Sequence, residues 1–207
     1  MAIRINLTPS FPALPRADNK ILVDVRYSLI APYANAHVSW DDKEGELVYE
    51  IEEPTLKPEE KSTLNMIEQA MMELVNINAV EDKSVQSLIE YVDKTARLII
   101  QELNLIVVEQ SYEKIFYYLY RNFIGMNEIE PLLKDYFIED IDCNGINSPL
   151  YIIHRIYRSL RTNISFNNVP ELASFVEKLA QRCGRYISYA SPILDGSLPD
   201  GSRVNAT

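Results

Sequence analysis

The residues best equipped for chemistry are arginines near the end of the chain: Arg155, Arg158, Arg161, Arg185 and Arg203. A guanidinium group is permanently charged and forked, so it suits anionic oxygens such as those of a phosphate. Residues 151–207 hold 7 Lys/Arg against 4 Asp/Glu, a balance of +3 in a chain of net charge −10, so the first 150 residues carry −13. The acidic front disfavours nucleic acid and anionic lipid as its partners. The basic tail is the place for an anionic ligand. The plainer alternative is that these arginines form surface ion pairs.

Other chemistry-bearing groups are sparse. Glu139, Asp140 and Asp142 could suggest a metal or acid–base site. They flank apolar Ile138 and Ile141, and strand alternation would put Asp140 and Asp142 on one face and Glu139 on the other. We read them as an exposed strand face and expect no metal. His37 and His154 lie far apart in the chain and read as structural. Cys143 and Cys183 have no partner at metal-ligand spacing and read as small, reduced core residues. The sequence holds no G-x-x-x-x-G-K-S/T, G-x-G-x-x-G, G-x-S-x-G or H-E-x-x-H pattern. No catalytic residue is expected within these 207 positions.

The elements that would carry these groups are legible in the periodicity. Residues 1–20, with three prolines, read as an extended, poorly ordered arm. Residues 21–33 read as β-rich and end at Pro32. ANAHVSW and ELVYEIEE, either side of DDKEG, form a hairpin signal with Leu47, Tyr49 and Ile51 on one face. Three amphipathic helices follow. The first opens at Pro58-Glu59-Glu60, and its stripe is Leu64, Ile67, Met71, Leu74 and Val75. Met66, Met71 and Met72 read as core packing. The second is capped by Asp82 or Ser84, and its stripe runs from Val85 to Leu103 and Ile106. The third holds Tyr112, Ile115, Phe116, Leu119 and Phe123, with Gly125 as its stop.

From residue 128 the pattern mixes α and β. A short helix at Glu130–Leu133 precedes strands in FIEDIDCNG, PLYIIHRIY and RTNISF. A helix opens at Asn168-Val169-Pro170-Glu171 and stops at Gly184. Extended segments then surround a turn at Pro199-Asp200-Gly201. Val204–Thr207 reads as a strand just beginning, so the natural sequence is expected to continue. The expected fold is α+β, in three segments. Residues 1–57 form an arm and β-hairpin, 58–127 a three-helix bundle, and 128–207 an α+β domain with one long packed helix.

Residues 131–203 carry a set of ordered motifs. They are Pro131-Leu132, Glu139-Asp140-Ile141, Gly145, Pro149, His154-Arg155, Thr162-Asn163, Leu179-Ala180-Gln181, Gly184, Ile187-Ser188, Pro192, Asp195 and the run Leu198 to Arg203. In this order they resemble the archaeal type II/type IV secretion ATPases, the motors of secretion, pili and the archaellum. Leu29 to Ala34, then Glu53-Pro54 and Leu56, resemble the front of archaeal members. The resemblance implies a RecA-like ATPase domain after residue 207, with the Walker A loop and the Mg²⁺ site. It also implies a homohexamer that hydrolyses ATP on the cytoplasmic side and drives an integral-membrane platform protein. The region itself would insert in no membrane and bind neither nucleic acid nor, alone, any cofactor. In such motors arginines of the N-terminal region approach the nucleotide phosphates. By motif position these would be Arg203 first, then Arg185, where some relatives have lysine, then Arg155. The competing expectations are a stand-alone adaptor that binds a protein partner without nucleotide, and, most remotely, an enzyme built on Glu139, Asp140 and Asp142.

Overall fold

The computed structural model describes residues 5–16, 19–74, 82, 84–188 and 190–207. Among the described residues, five α-helices and eight β-strands make up a mixed α+β fold. Six strands form a sheet in the order β1-β2-β3-β6-β5-β4, and β7 and β8 form a separate two-stranded ladder. The chain divides into two compact units. The first comprises Met1–Trp40 and Glu50–Tyr136, the second Asp41–Tyr49 and Phe137–Thr207. The chain therefore passes between units at residues 40/41, 49/50 and 136/137.

In the first unit, β1 (Asp24–Ile30) and β2 (Ala34–Asp41) pair antiparallel across the short turn at Ala31-Pro32-Tyr33. In β3 (Glu46–Glu52), Leu47, Tyr49 and Ile51 are buried, as the alternation requires. The described residues 5–16 of the arm are held at two points. Asn6 bridges Ala31, and Phe11 packs against the rings of Tyr27 and Tyr136.

Three helices complete this unit: α1 (Pro58–Leu74), α2 (Val85–Glu102) and α3 (Glu109–Leu119). Proline fits the first turn of α1, and the Glu60 carboxylate accepts from the Lys57 amide at 2.8 Å. Leu64, Ile67 and Met71 are buried, but Met66 and Met72 are exposed, so only one of the three methionines packs in the core. The position expected at Val75 lies outside the described residues. Ser84 is the N-cap of α2, accepting from the Ser87 amide. The helix stops at Glu102, short of its apolar run. Asn104 takes a left-handed conformation (φ +50°), and Leu103 and Ile106 emerge into solvent rather than joining the core.

A π-helical turn, Tyr120–Ile124, prolongs α3. Gly125 follows it, but with φ −78° it is not a left-handed cap. Its glycine is required by close approach: a Cβ would lie 2.7 Å from Glu130 Cγ and 2.9 Å from the Arg121 carbonyl oxygen. Short α4 (Glu130–Leu133) contacts β1.

Several buried polar groups in this unit are matched internally. Both Glu53 oxygens accept from Arg121 Nη1 at 2.9 Å, and Tyr117 donates to Glu53 at 2.5 Å. Tyr120 donates to Glu130 at 2.7 Å, and Tyr27 to Asp135 at 2.6 Å. Burial, followed by the adjacent carboxylate, raises the pKa of the Tyr117 and Tyr120 phenols, so both stay protonated and can donate.

In the second unit, β4 (Ile138–Asp142), β5 (Pro149–His154) and β6 (Arg158–Ser165) form antiparallel ladders. The start of β3 runs parallel to β6, with Val48 opposite Arg161 and Tyr49 opposite Thr162. Helix α5 (Val169–Arg182) opens with the Asn168 side chain accepting from the Glu171 amide and has Pro170 in its first turn. Its Phe175 ring lies 4.9 Å from Phe166. The helix ends at Gly184 with φ +65°, a conformation that favours glycine. Strands β7 (Leu194–Ser197) and β8 (Arg203–Ala206) close a hairpin through the turn at Gly201, φ +93°. Leu194 and Leu198 are its buried anchors. Cys143 is exposed rather than in the core, because it sits just beyond the end of edge strand β4.

Candidate functional site

Arg203 opens β8, opposite Ser197. Its side chain is 84% exposed, and Nη2 stands 3.9 Å from Asp195 Oδ1. An exposed pair at that distance contributes about 0–1 kcal/mol at most. It restrains the guanidinium weakly and leaves N–H donors for a phosphate oxygen.

Arg185 follows the Gly184 cap, and its amide donates to the Ala180 carbonyl at 2.8 Å. The β7–β8 hairpin comes to this corner at Gly196. A Cβ there would lie 2.8 Å from Cys183 Cβ and 3.6 Å from Arg185 Cγ, so only glycine lets the strand approach. Gly196 pairs with Val204, while Arg203 shares the Ser197 face. By strand alternation, Arg185 and Arg203 border opposite faces of one hairpin.

Arg155 belongs to a different element, the β5–β6 turn. Its amide donates to the Phe137 carbonyl at 2.8 Å, and Nε lies 3.7 Å from Glu139 Oε1. The turn is organised by His154, whose ring is fully buried between Phe137 (5.5 Å) and Tyr157 (5.0 Å). His154 Nδ1 accepts from the Ile156 and Tyr157 amides, both at 3.2 Å. An acceptor nitrogen is unprotonated, and burial pushes the imidazole pKa down to about 4. The ring is therefore neutral at ordinary pH.

Arg161 is held by structure: Nε donates to Glu46 at 2.8 Å and Nη2 to Asp41 at 3.0 Å. Arg158 takes φ +69° at the start of β6. A register irregularity between Ile138 and Asp140 interrupts the alternation of β4, so Glu139 and Asp140 are both exposed, as is Asp142. Among the described residues, no group of three or more His, Cys, Asp or Glu side chains is placed to hold a metal ion. No helix among them is long and apolar enough to cross a membrane.

One feature of the first unit has no sequence motif behind it. An open groove of about 460 Å³ at the α2–α3 junction is lined by Arg97, Ile100, Leu105, Val107, Glu109 and Tyr112, together with Gln101 and Asn104. The Arg97 guanidinium lies 4.2 Å over the Tyr112 ring, with Nε on Asp93. Its Nη2 is buried without a hydrogen-bond partner among the described residues and stands 3.8 Å from Glu109 Oε1, too far to donate. The Asp93/Arg97 spacing was visible as a helical ion pair. The buried, unmet donor was not, because it depends on where the chain turns after Asn104.

No family model matches the chain. It is 38% identical over 170 residues to the uncharacterized protein MJ1288 of Methanocaldococcus jannaschii, covering 82% of this chain and 67% of that protein. Two longer proteins of the same organism match over part of the chain. MJ0900 is 39% identical over 99 residues, which are 48% of this chain and 18% of that protein. MJ0781 is 38% identical over 92 residues, which are 44% of this chain and 12% of that protein. Both are likewise uncharacterized.

Proposed function

The chain belongs to the family of the archaeal protein MJ1288, and from that premise we propose that it is the nucleotide-facing N-terminal region of a secretion-, pilus- or archaellum-type motor ATPase. The observation that carries this reading is the ordered motif run from Pro131 to Arg203, which closes on an exposed arginine of β8. Support comes from the two long relatives, in which the shared segment is less than a fifth of the whole protein. A module embedded in larger chains is what a motor's N-terminal region would be. On this reading the full protein works as a cytoplasmic homohexamer at the membrane face and binds ATP with Mg²⁺ through its later residues. It passes the motion to an integral-membrane platform protein. On this reading Arg203 neutralises charge on the phosphoryl oxygens during transfer, and Arg185, on the other face of the hairpin, and Arg155, on a separate turn, are the lesser candidates.

The test is Mg²⁺-dependent ATP hydrolysis by the full natural protein that carries this region. Turnover is expected from the full protein and none from residues 1–207 alone. Arg203→Ala should lower the rate about tenfold or more, because a charged donor acting on the transferring phosphoryl group is lost. Robust turnover by residues 1–207, or an unchanged rate in Arg203→Ala, overturns the respective claim.

One observation favours a second reading, a protein-binding adaptor without a nucleotide role. The match leaves a third of MJ1288 uncovered, about 85 residues. That is short of the roughly 100–200 residues of an ordinary domain. A G-x-x-x-x-G-K-S/T in the natural sequence after residue 207 decides for the motor, and its absence decides for the adaptor.

A further inference from the structure

Strand β1 lies at one end of the six-stranded sheet, so among the described residues its outer edge has no strand partner. A row of backbone N–H and C=O groups on such an edge is a template for another strand. What runs along it is the arm. Asn6 and Ala31 exchange both backbone hydrogen bonds, at 2.9 and 3.1 Å. Farther along the arm, the Phe11 ring meets Tyr27, farther back along β1, with centroids 6.5 Å apart, and Tyr136 at 5.9 Å. The arm and β1 therefore run antiparallel, side by side. Ile5, Leu7, Pro9 and Phe11 are half-buried, while Asn6, Thr8, Ser10 and Pro12 are exposed.

The arm nevertheless does not zip into a seventh strand, and its sequence says why. In an antiparallel ladder that starts at the Asn6 pair, the amides of Thr8, Ser10 and Pro12 would face β1 in turn. The Thr8 amide instead donates to Asn6 Oδ1 at 3.0 Å, and proline has no amide hydrogen. Asn6 is accordingly the only residue of 5–16 in a β-bridge. A segment that follows a strand edge but skips its ladder covers the edge without being fixed to it. The edge is one that needs cover. Tyr27–Ile30 is uncharged and rich in strand-forming residues, and Asp24 and Arg26 cancel, so no net charge on β1 repels an identical strand. We propose that residues 5–16 are a releasable strap that guards the edge of β1, and that the partner it excludes is β1 of a second copy of the chain. The device lies wholly in the first unit and stands whether or not the second unit meets nucleotide.

The Ala31 amide, which donates to Asn6, reports the strap directly. Amide hydrogen exchange of the 207-residue chain, followed by NMR, should find it exchanging faster than the amides of the β1–β2 ladder, because the strap opens without the sheet. Phe11→Ser removes the ring contacts and should speed exchange at Ala31 about tenfold while leaving the ladder unchanged. Asn6→Pro, which lacks the amide that donates to Ala31, should act in the same direction. Ser10→Ala, at an exposed position outside both contacts, should match the parent chain. Light scattering in about 0.15 M salt, where repulsion between acidic chains is screened beyond about 8 Å, should show Phe11→Ser associating as concentration rises and the parent not. In the associated variant the amides of β1 should exchange more slowly than in dilute solution. Protection of Ala31 equal to that of the ladder, or a ladder loosened as much as Ala31 in Phe11→Ser, would make the arm a fixed part of the sheet and overturn the strap. A loosened strap with no added association, association that leaves β1 exchange unaltered, or equal effects of Ser10→Ala and Phe11→Ser overturns the guarding role.

Discussion

Two arginines, Arg121 in the first unit and Arg203 in the second, stand in opposite settings. In the first, Arg121 is nearly buried, both Glu53 oxygens accept from it, and it lies over the Tyr118 ring at 4.9 Å. In the second, Arg203 stands in solvent with one long contact to Asp195. A desolvated guanidinium must be satisfied by the fold, and once satisfied it has little left to offer a ligand. A solvated one contributes almost nothing to stability and keeps its donors available. Arginine identity alone therefore separates nothing. Its carboxylate partners and its burial decide whether it holds the protein together or meets something outside it.

That contrast can be broken, most sharply at Arg121. Arg121→Ala should cost about 3–5 kcal/mol in urea unfolding of the chain, because it strands the Glu53 carboxylate in a low-dielectric setting. A loss below about 1 kcal/mol would mean that the pair is no more than a surface contact. The second unit has one buried titratable group of comparable weight, His154. Its folded pKa of about 4 lies below the ordinary 6.5, so between those values the unfolded chain binds a proton that the folded chain refuses. Stability should be fullest above pH 6.5, fall by about 2–3 kcal/mol as pH drops through 4, and level off on this account about one pH unit below that. His154→Asn, which keeps an acceptor but does not titrate, should flatten that limb of the urea-midpoint profile; an unaltered slope would discard the assignment. The smallest effect belongs to Arg203→Ala, whose unfolding free energy should stay within about 0.5 kcal/mol of the parent. A larger loss would move Arg203 to the structural side of the comparison.

Much of the fold was readable because local rules and burial agree. The Leu47/Tyr49/Ile51 alternation, the Asn168 cap and the Gly184 stop all stand where periodicity and turn chemistry put them. Where the reading overran, a local signal had been outweighed. The apolar run of α2 continued to Ile106, but Asn104 ended the helix and turned the last aliphatics outward. Met66 and Met72 match the composition of a core and point to solvent, since a helix buries a stripe and not a cluster. At the candidate site, the sequence marked Arg155, Arg185 and Arg203 by motif. It could not show that Gly196 brings the hairpin to Arg185 while Arg155 is held by a separate turn with Glu139. The Arg97 groove was illegible for the same reason: a cavity is the product of three chain directions and has no signature of its own.

The three crossings of the chain at residues 40/41, 49/50 and 136/137 have a genetic consequence. Two of them fall inside strands, so no single cut in the coding sequence yields either unit intact. A deletion that begins the chain at residue 50 would leave β6 without its parallel neighbour and Arg161 without Asp41 and Glu46.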